Sequence, residues 1–275
     1  MPRRWSGRVV AAIAAVIVLA VATTVVVVTG ESDEPPAVTA APTPPPTTTA
    51  PPPTTAPPKL SAGAETSAAT LLGWPAPKRV DEFDGPLSSA WEVYDGDGHN
   101  GNGRRSPAAI TTAGGILTIT GDAAGRTGGM AWGPGQKYGR WEGRVRAPAA
   151  DPSYHAVLLL WPDAENWPVG GEVDFMEMVD PARQSTKAYL HWGRSNNQVT
   201  AEVNVDATQW HNWAVEWTPD HIVAYLDGTE WFRSDSTRQL PPGKMHLAIQ
   251  LDWFPEDGSA TPTTMQVDWV KEYPL

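Results

Sequence analysis

From residue 80 to the C-terminus the chain offers short apolar runs broken by turn residues, with no helical periodicity, so the fold must be built from strands. Residues 116–120 (ILTIT) alternate apolar and polar. Residues 138–146 (YGRWEGRVR) read as a long strand with Tyr138, Arg140, Glu142, Arg144 and Arg146 on one face. Residues 155–161 (HAVLLLW) are continuously apolar, as in a strand buried on both faces. Residues 213–217, 222–226 and 230–233 read as a meander, with turns at Thr218-Pro219-Asp220 and Asp227-Gly228. Asp-Gly between two strands marks a tight hairpin. Residues 246–251 and 265–273 close the series. Many short strands without helices predict an all-β sandwich or jelly roll.

The N-terminal quarter cannot belong to that core. Arg3, Arg4 and Arg8 precede an apolar run over residues 9–29, the pattern of a secretory segment. Ala20-Val21-Ala22 offers a small-x-small cleavage site, but residues 25–28 lengthen the run to about the 20 residues that span a bilayer. Residues 1–30 are therefore expected to be a signal peptide or N-terminal membrane anchor, which places the rest outside the cytoplasmic membrane, anchored or secreted. Residues 31–73 read as a Pro/Thr/Ala-rich disordered linker, with PTPPPTTTAPPPTTAPP at 42–58. Residues 74–275 are left as one domain, expected to be monomeric.

The net charge of −11 falls on that domain, because Arg3, Arg4, Arg8 and Lys59 cancel Glu31, Asp33, Glu34 and Glu65. An acidic domain repels nucleic acid and anionic polysaccharides, so a neutral polymer fits better. The absence of cysteine excludes disulfides and thiolate-bound metals. Tryptophan is abundant, 14 against 4 Phe and 6 Tyr. Half of these indoles suffice for a core. The others suit stacking on the C–H face of a pyranose ring.

Residues 170–178 read GGEVDFMEM, three acids in a stretch otherwise as apolar as a core strand. Acids are poor strand formers and costly to desolvate together. An incidental surface strand would leave Val173, Phe175 and Met176 in water. Alternation puts Glu172 and Asp174 on one face and Glu177 on the other, unless one extra residue, a β-bulge near Met176, returns Glu177 to the first face. Glu172 and Glu177 would then stand ~13 Å apart at Cα, four steps of ~3.3 Å. Leaning side chains could close this to the ~5–5.5 Å of a retaining glycosidase. Three clustered carboxylates cannot all ionise, so one must hold its proton, as a general acid does. No nucleophile elbow, phosphate-binding glycine loop or H-E-x-x-H motif competes with this site.

At this point the chain resembles glycoside hydrolase family 16, whose bulged, laminarinase-like motif E-(I/V/L)-D-x-x-E reads here Glu172-Val173-Asp174-Phe175-Met176-Glu177. The resemblance extends to Trp167-Pro168 before the motif, to YGRWEGR at 138–144, to YLHWG at 189–193, to WAVEWTP at 213–219 with YLDG at 225–228, and to Asp268-Trp269-Val270 near the end. It spans residues 81–273. It implies a concanavalin-like β-jelly-roll sandwich, with Glu172 as nucleophile, Glu177 as acid/base and Asp174 tuning the nucleophile. It places Trp167 and His191 in the cleft, with Trp161 and Trp253 as further substrate-binding candidates. The implied activity is retaining endo-hydrolysis of a β-linked neutral polysaccharide, β-1,3- or mixed-linkage β-glucan. A non-catalytic carbohydrate-binding protein, or a transglycosylase using the same residues, are the alternatives. No cofactor is required. A structural calcium ion is implied for some members, with Asp268 as its candidate ligand here. The segments at 100–105 (NGNGRR) and 255–262 match no specificity signature.

Overall fold

The computed structural model describes residues 63–255 and 260–275. The expected signal or anchor segment, the linker up to residue 62 and residues 256–259 of the 255–262 insert lie outside the described residues. Among the described residues no helix is long and apolar enough to cross a membrane. Strands follow one another as β1 (Arg79–Asp81), β2 (Trp91–Val93), β3 (Gly96–Asp97), β4 (Arg104–Arg105), β5 (Ile110–Ala113), β6 (Ile116–Gly121), β7 (Arg126–Thr127), β8 (Gly129–Gln136) and β9 (Gly139–Arg146). The second half continues with β10 (Tyr154–Pro162), β11 (Glu172–Met178), β12 (Ser185–Trp192), β13 (Asn197–Asn204), β14 (His211–Trp217), β15 (Ile222–Leu226), β16 (Thr229–Ser234), β17 (Met245–Trp253) and β18 (Thr263–Tyr273). The helical content among the described residues is one short helix, α1 (Ala68–Leu71), and 3-10 turns at Ala64–Thr66, His99–Gly101 and Pro107–Ala109.

Two large antiparallel sheets form the sandwich. One runs β16-β15-β14-β9-β18-β6-β5, with β1 paired to β18; the other runs β13-β12-β11-β10-β17-β8-β2. A small sheet, β3-β4-β7, accompanies them. This is the all-β, jelly-roll-like sandwich that the strand pattern predicts. The meander is the β14-β15-β16 edge of the first sheet, and its hairpin turn places both Asp227 and Gly228 at positive φ, 47° and 75°.

Alternation decides what each face carries. In β17, Met245, Leu247, Ile249 and Leu251 enter the core, whereas His246, Ala248, Gln250 and Asp252 take the opposite face. In β10, Ala156, Leu158 and Leu160 enter the core, while Val157 and Leu159 pack with Ala248 and Trp161 on the other face, which lines a groove rather than a second buried layer. Trp141, Trp213 and Trp217 from the first sheet fill the sandwich interior.

The sequence reading carries the linker to residue 73, and the structure corrects its last part. Residues 63–74 pack on the outer face of the first sheet. Ser67 caps α1 by accepting from the Thr70 N–H, and Ala68 is fully buried. The Ala68 N–H donates to Glu142 Oε1 at 2.6 Å, and Asn212 Nδ2 donates to the Gly63 carbonyl at 2.7 Å. Trp74 packs edge-on against Tyr225 and Tyr273. A four-residue helix is too short to register as periodicity.

Candidate active site

The cleft lies across the face of the β13-to-β2 sheet that points away from the core, and the motif strand β11 sits near its middle. Gly171, with φ 81°, supplies the left-handed residue from which β11 starts. Against β10, Leu158 pairs with Met176 and Leu159 with Asp174, so Phe175 is the inserted residue. Against β12, Asp174 faces Tyr189 and Glu177 faces Lys187, three steps on one strand for two on the other. The bulge is driven by two consecutive side chains, Phe175 and Met176, that are 1% and 0% exposed and both enter the core. It returns Glu177 to the face of Glu172 and Asp174, and all three line the cleft.

Each carboxylate has its own partner. Trp167 Nε1–H donates to Glu172 Oε2 at 2.7 Å. Nδ1 of His155 lies 2.8 Å from Glu177 Oε1. Asp174 is 5% exposed; its Oδ2 is 3.6 Å from His191 Nε2, and its Oδ1 has no hydrogen-bond partner. His191 is held in turn by Asn196, whose Oδ1 is 2.8 Å from Nδ1, and by Gln198. Burial first, and then the charge of Asp174, pushes Glu172 up from the usual carboxylate range. Burial, then the charges of Glu177 and Asp252, pushes Asp174 well above it. The Glu172–Asp174 pair therefore retains a proton at neutral pH.

The tryptophans divide. Trp161 and Trp167 both line the cleft with nearly parallel planes, 10° apart and 6.5 Å between centroids, and Trp167 is 43% exposed. Trp253 does not join them. It has the parity of Leu251 on β17 and packs against the core, and Gly103 and Gly125 lie against its ring. The period of two places this side chain inward, which composition alone could not show.

Asp268 does not fit a calcium ligand here. Nε of Arg144 lies 3.1 Å from its Oδ2, an ion pair that sets a guanidinium where a cation would bind. Among the described residues, Glu172, Asp174 and His191 do bring donor atoms within 4.8 Å of one another, close enough to hold a metal ion. The retained proton and the indole hydrogen bond already use two of them, which suits a carboxylate pair that shares a proton.

Sequence reasoning passed over several cleft residues. Arg105 pairs with Asp252 and Gln250 on the cleft floor and lies over the Tyr94 ring. His99, His155 and His246 line the same cleft. A signal existed: Gln250, Asp252 and His246 are polar residues at one parity of an otherwise apolar strand, the pattern that singled out β11.

Among curated relatives, the chain is 29% identical over 164 residues to a "Beta-glucanase" of Rhodothermus marinus, covering 50% of this chain and 57% of that protein. It is 27% identical over 224 residues to the "Clotting factor G alpha subunit" of Tachypleus tridentatus, covering 70% of this chain and 33% of that one. The chain thus matches between a third and three fifths of the length of these two relatives. Among solved structures, the laminarinase from Rhodothermus marinus superposes with a TM-score of 0.65 at 21% identity, covering 72% of this chain and 96% of that one, which shows a shared fold. The family model described as "Glycosyl hydrolases family 16" matches residues 106–271, more than half of the chain and the whole of the bulged carboxylate strand with its neighbours, and the chain belongs to that family.

Proposed function

We propose that this protein is an endo-acting β-glucanase that hydrolyses a neutral β-1,3- or mixed-linkage glucan with retention of configuration. The observation that carries this reading is the bulge in β11, which sets Glu172, Asp174 and Glu177 side by side on one face of the cleft. Glu172 attacks the anomeric carbon, and the glycosidic C–O bond breaks as Glu177 passes its proton to the leaving oxygen. Water then gives its proton to Glu177 and its hydroxyl to the anomeric carbon, releasing the Glu172 carboxylate. The Trp167 N–H holds one oxygen of Glu172, which orients the other toward the sugar. The buried pair shares one proton, which lets Asp174 and Glu172 hydrogen-bond each other instead of repelling. Two named relatives, the beta-glucanase of Rhodothermus marinus and the Endo-1,3-1,4-beta-glycanase ExsH of Rhizobium meliloti, support the substrate class.

Product analysis on laminarin and lichenan tests the linkage, and paired variants test the roles. Glu172→Gln is expected to lower turnover at least ~1,000-fold on every substrate, because no glycosyl-enzyme forms. Glu177→Gln is expected to lower turnover on the polysaccharide by ~100-fold or more but to spare formation of the glycosyl-enzyme from activated aryl glycosides. Near wild-type turnover of both variants on the polysaccharide would remove the assignment.

A further inference from the structure

We propose that His155 is the positioning residue for Glu177, holding one oxygen of that carboxyl so that the other meets the scissile bond. The inference rests on the acid/base role proposed above for Glu177. His155 belongs to no part of the carboxylate motif, and the two half-reactions as written do not use it.

The contact is built by the sheet. Val157 on β10 pairs with Glu177 on β11, so His155, two residues away on the same face, is the diagonal neighbour of Glu177. Nδ1 to Oε1 is 2.8 Å, and both side chains are 13% exposed. The imidazole cannot swing away freely. Its ring lies 4.4 Å from that of Phe254 at 30°, and Phe254 is flanked by His99 at 4.5 Å. A carboxyl with both oxygens free would sample two orientations. Tying Oε1 to Nδ1 leaves Oε2 for the glycosidic oxygen in the first half-reaction and for water in the second. The contact persists in both protonation states. Nδ1–H donates to Oε1 both when Oε2 carries the acid proton and, once that proton has passed to the leaving oxygen, when Glu177 is a carboxylate; water returns a proton to Oε2 in the second half-reaction.

The charges around His155 leave Glu177 as its dominant partner. Asp252, opposite it on β17, is engaged by Arg105, and His99 stands beyond Phe254. On β12, Lys187 pairs in register with Glu177 on one side and Glu202 on the other, with Tyr189 opposite Asp174. Asp180 lies at the rim of the adjoining pocket, which His155 also lines.

The test uses the full chain with His155→Phe, which keeps a ring against Phe254, and His155→Asn, whose amide can donate to Oε1. Turnover and KM are measured on laminarin or lichenan and on a nitrophenyl β-glucan oligosaccharide, with Tm alongside. His155→Phe is expected to lose roughly 10- to 100-fold in turnover on the polysaccharide and only a few-fold on the nitrophenyl substrate, with KM and Tm little changed. His155→Asn recovers most of the polysaccharide turnover. Equal losses on both substrates with a lowered Tm, or wild-type turnover of His155→Phe on the polysaccharide, overturn the inference. Glu177→Gln run alongside separates the two failures. If it loses polysaccharide turnover while His155→Phe does not, only the role of His155 falls; if it loses nothing, the reading of the site falls and that of His155 with it.

Discussion

Trp167 shows how much one side chain in this cleft is asked to do. Its indole N–H donates to Glu172, its ring runs parallel to Trp161, and 43% of its surface remains open to a ligand. Trp167→Ala removes a stacking surface worth about 1 kcal/mol and a hydrogen bond to a charged group worth about 1.5–3 kcal/mol, so kcat/KM should fall roughly 50- to 1,000-fold. Trp167→Phe keeps a ring and loses the donor, and it should show the fall mainly in kcat. Because so much of the residue is exposed, Tm should move little in either variant. A large drop in Tm would instead make Trp167 a support for β11. The pairing of Trp167 with Glu172 was half legible: the W-P step placed the residue near the motif, but its hydrogen bond depends on a loop path that spacing does not encode.

At the scale of elements, the bulge in β11 and the small β3-β4-β7 sheet illustrate opposite degrees of legibility. The bulge could be argued from β11 alone, since three acids cannot share a face under strict alternation and the apolar residues between them require burial. The small sheet could not. Its strands are two residues long, and it is positioned by tight contacts between glycines and a tryptophan. Gly125 has φ 76°, and a Cβ there would meet the Trp253 ring at 2.1 Å. Gly125→Ala should therefore cost about 2–3 kcal/mol from overpacking and left-handed strain together. That corresponds to a drop of roughly 4–12 °C in Tm for a domain of this size. KM should rise as well, since β4 carries Arg105 into the cleft. Differential scanning calorimetry with a parallel KM measurement checks both, and an unchanged Tm would show that Trp253 yields without cost.

For the whole molecule, the segment 63–74 closes the outer face of the first sheet over Glu142, which is 1% exposed. Burial pushes Glu142 up to about 7, against the pull of the Ala68 and Ala69 N–H groups, the charge of Lys271 and the Tyr273 hydroxyl. A carboxyl whose folded value is raised binds more protons folded than unfolded. Its stabilising share is complete below the ordinary value of 4.5 and is lost as pH rises through about 7. Glu142→Gln, which cannot ionise, should therefore gain on the wild type by on the order of 2–3 kcal/mol between pH 5 and pH 8, read as a change in the Tm difference. A Tm difference that stays constant with pH would show that Glu142 ionises freely in the fold. A truncated chain beginning at Leu72 lacks the cover of Ala68 and should lose much of this pH dependence together with roughly 5–10 °C of Tm at pH 5.

What the sequence determined by itself was local: the strand periods, the Asp-Gly hairpin, and three carboxylates that only a bulged strand could gather on one face. Alternation is a property of consecutive residues, so it can be read without neighbours. The tertiary structure decided what depends on register between distant strands. It brought His155 within hydrogen-bond reach of Glu177, gave Arg105 to Asp252, turned Trp253 inward, closed Asp268 with Arg144 and laid residues 63–74 over Glu142. Each of these contacts joins residues from separate elements. Their positions follow from which strands pair and in what register, and that is settled by the packing of the whole sandwich rather than by any one segment.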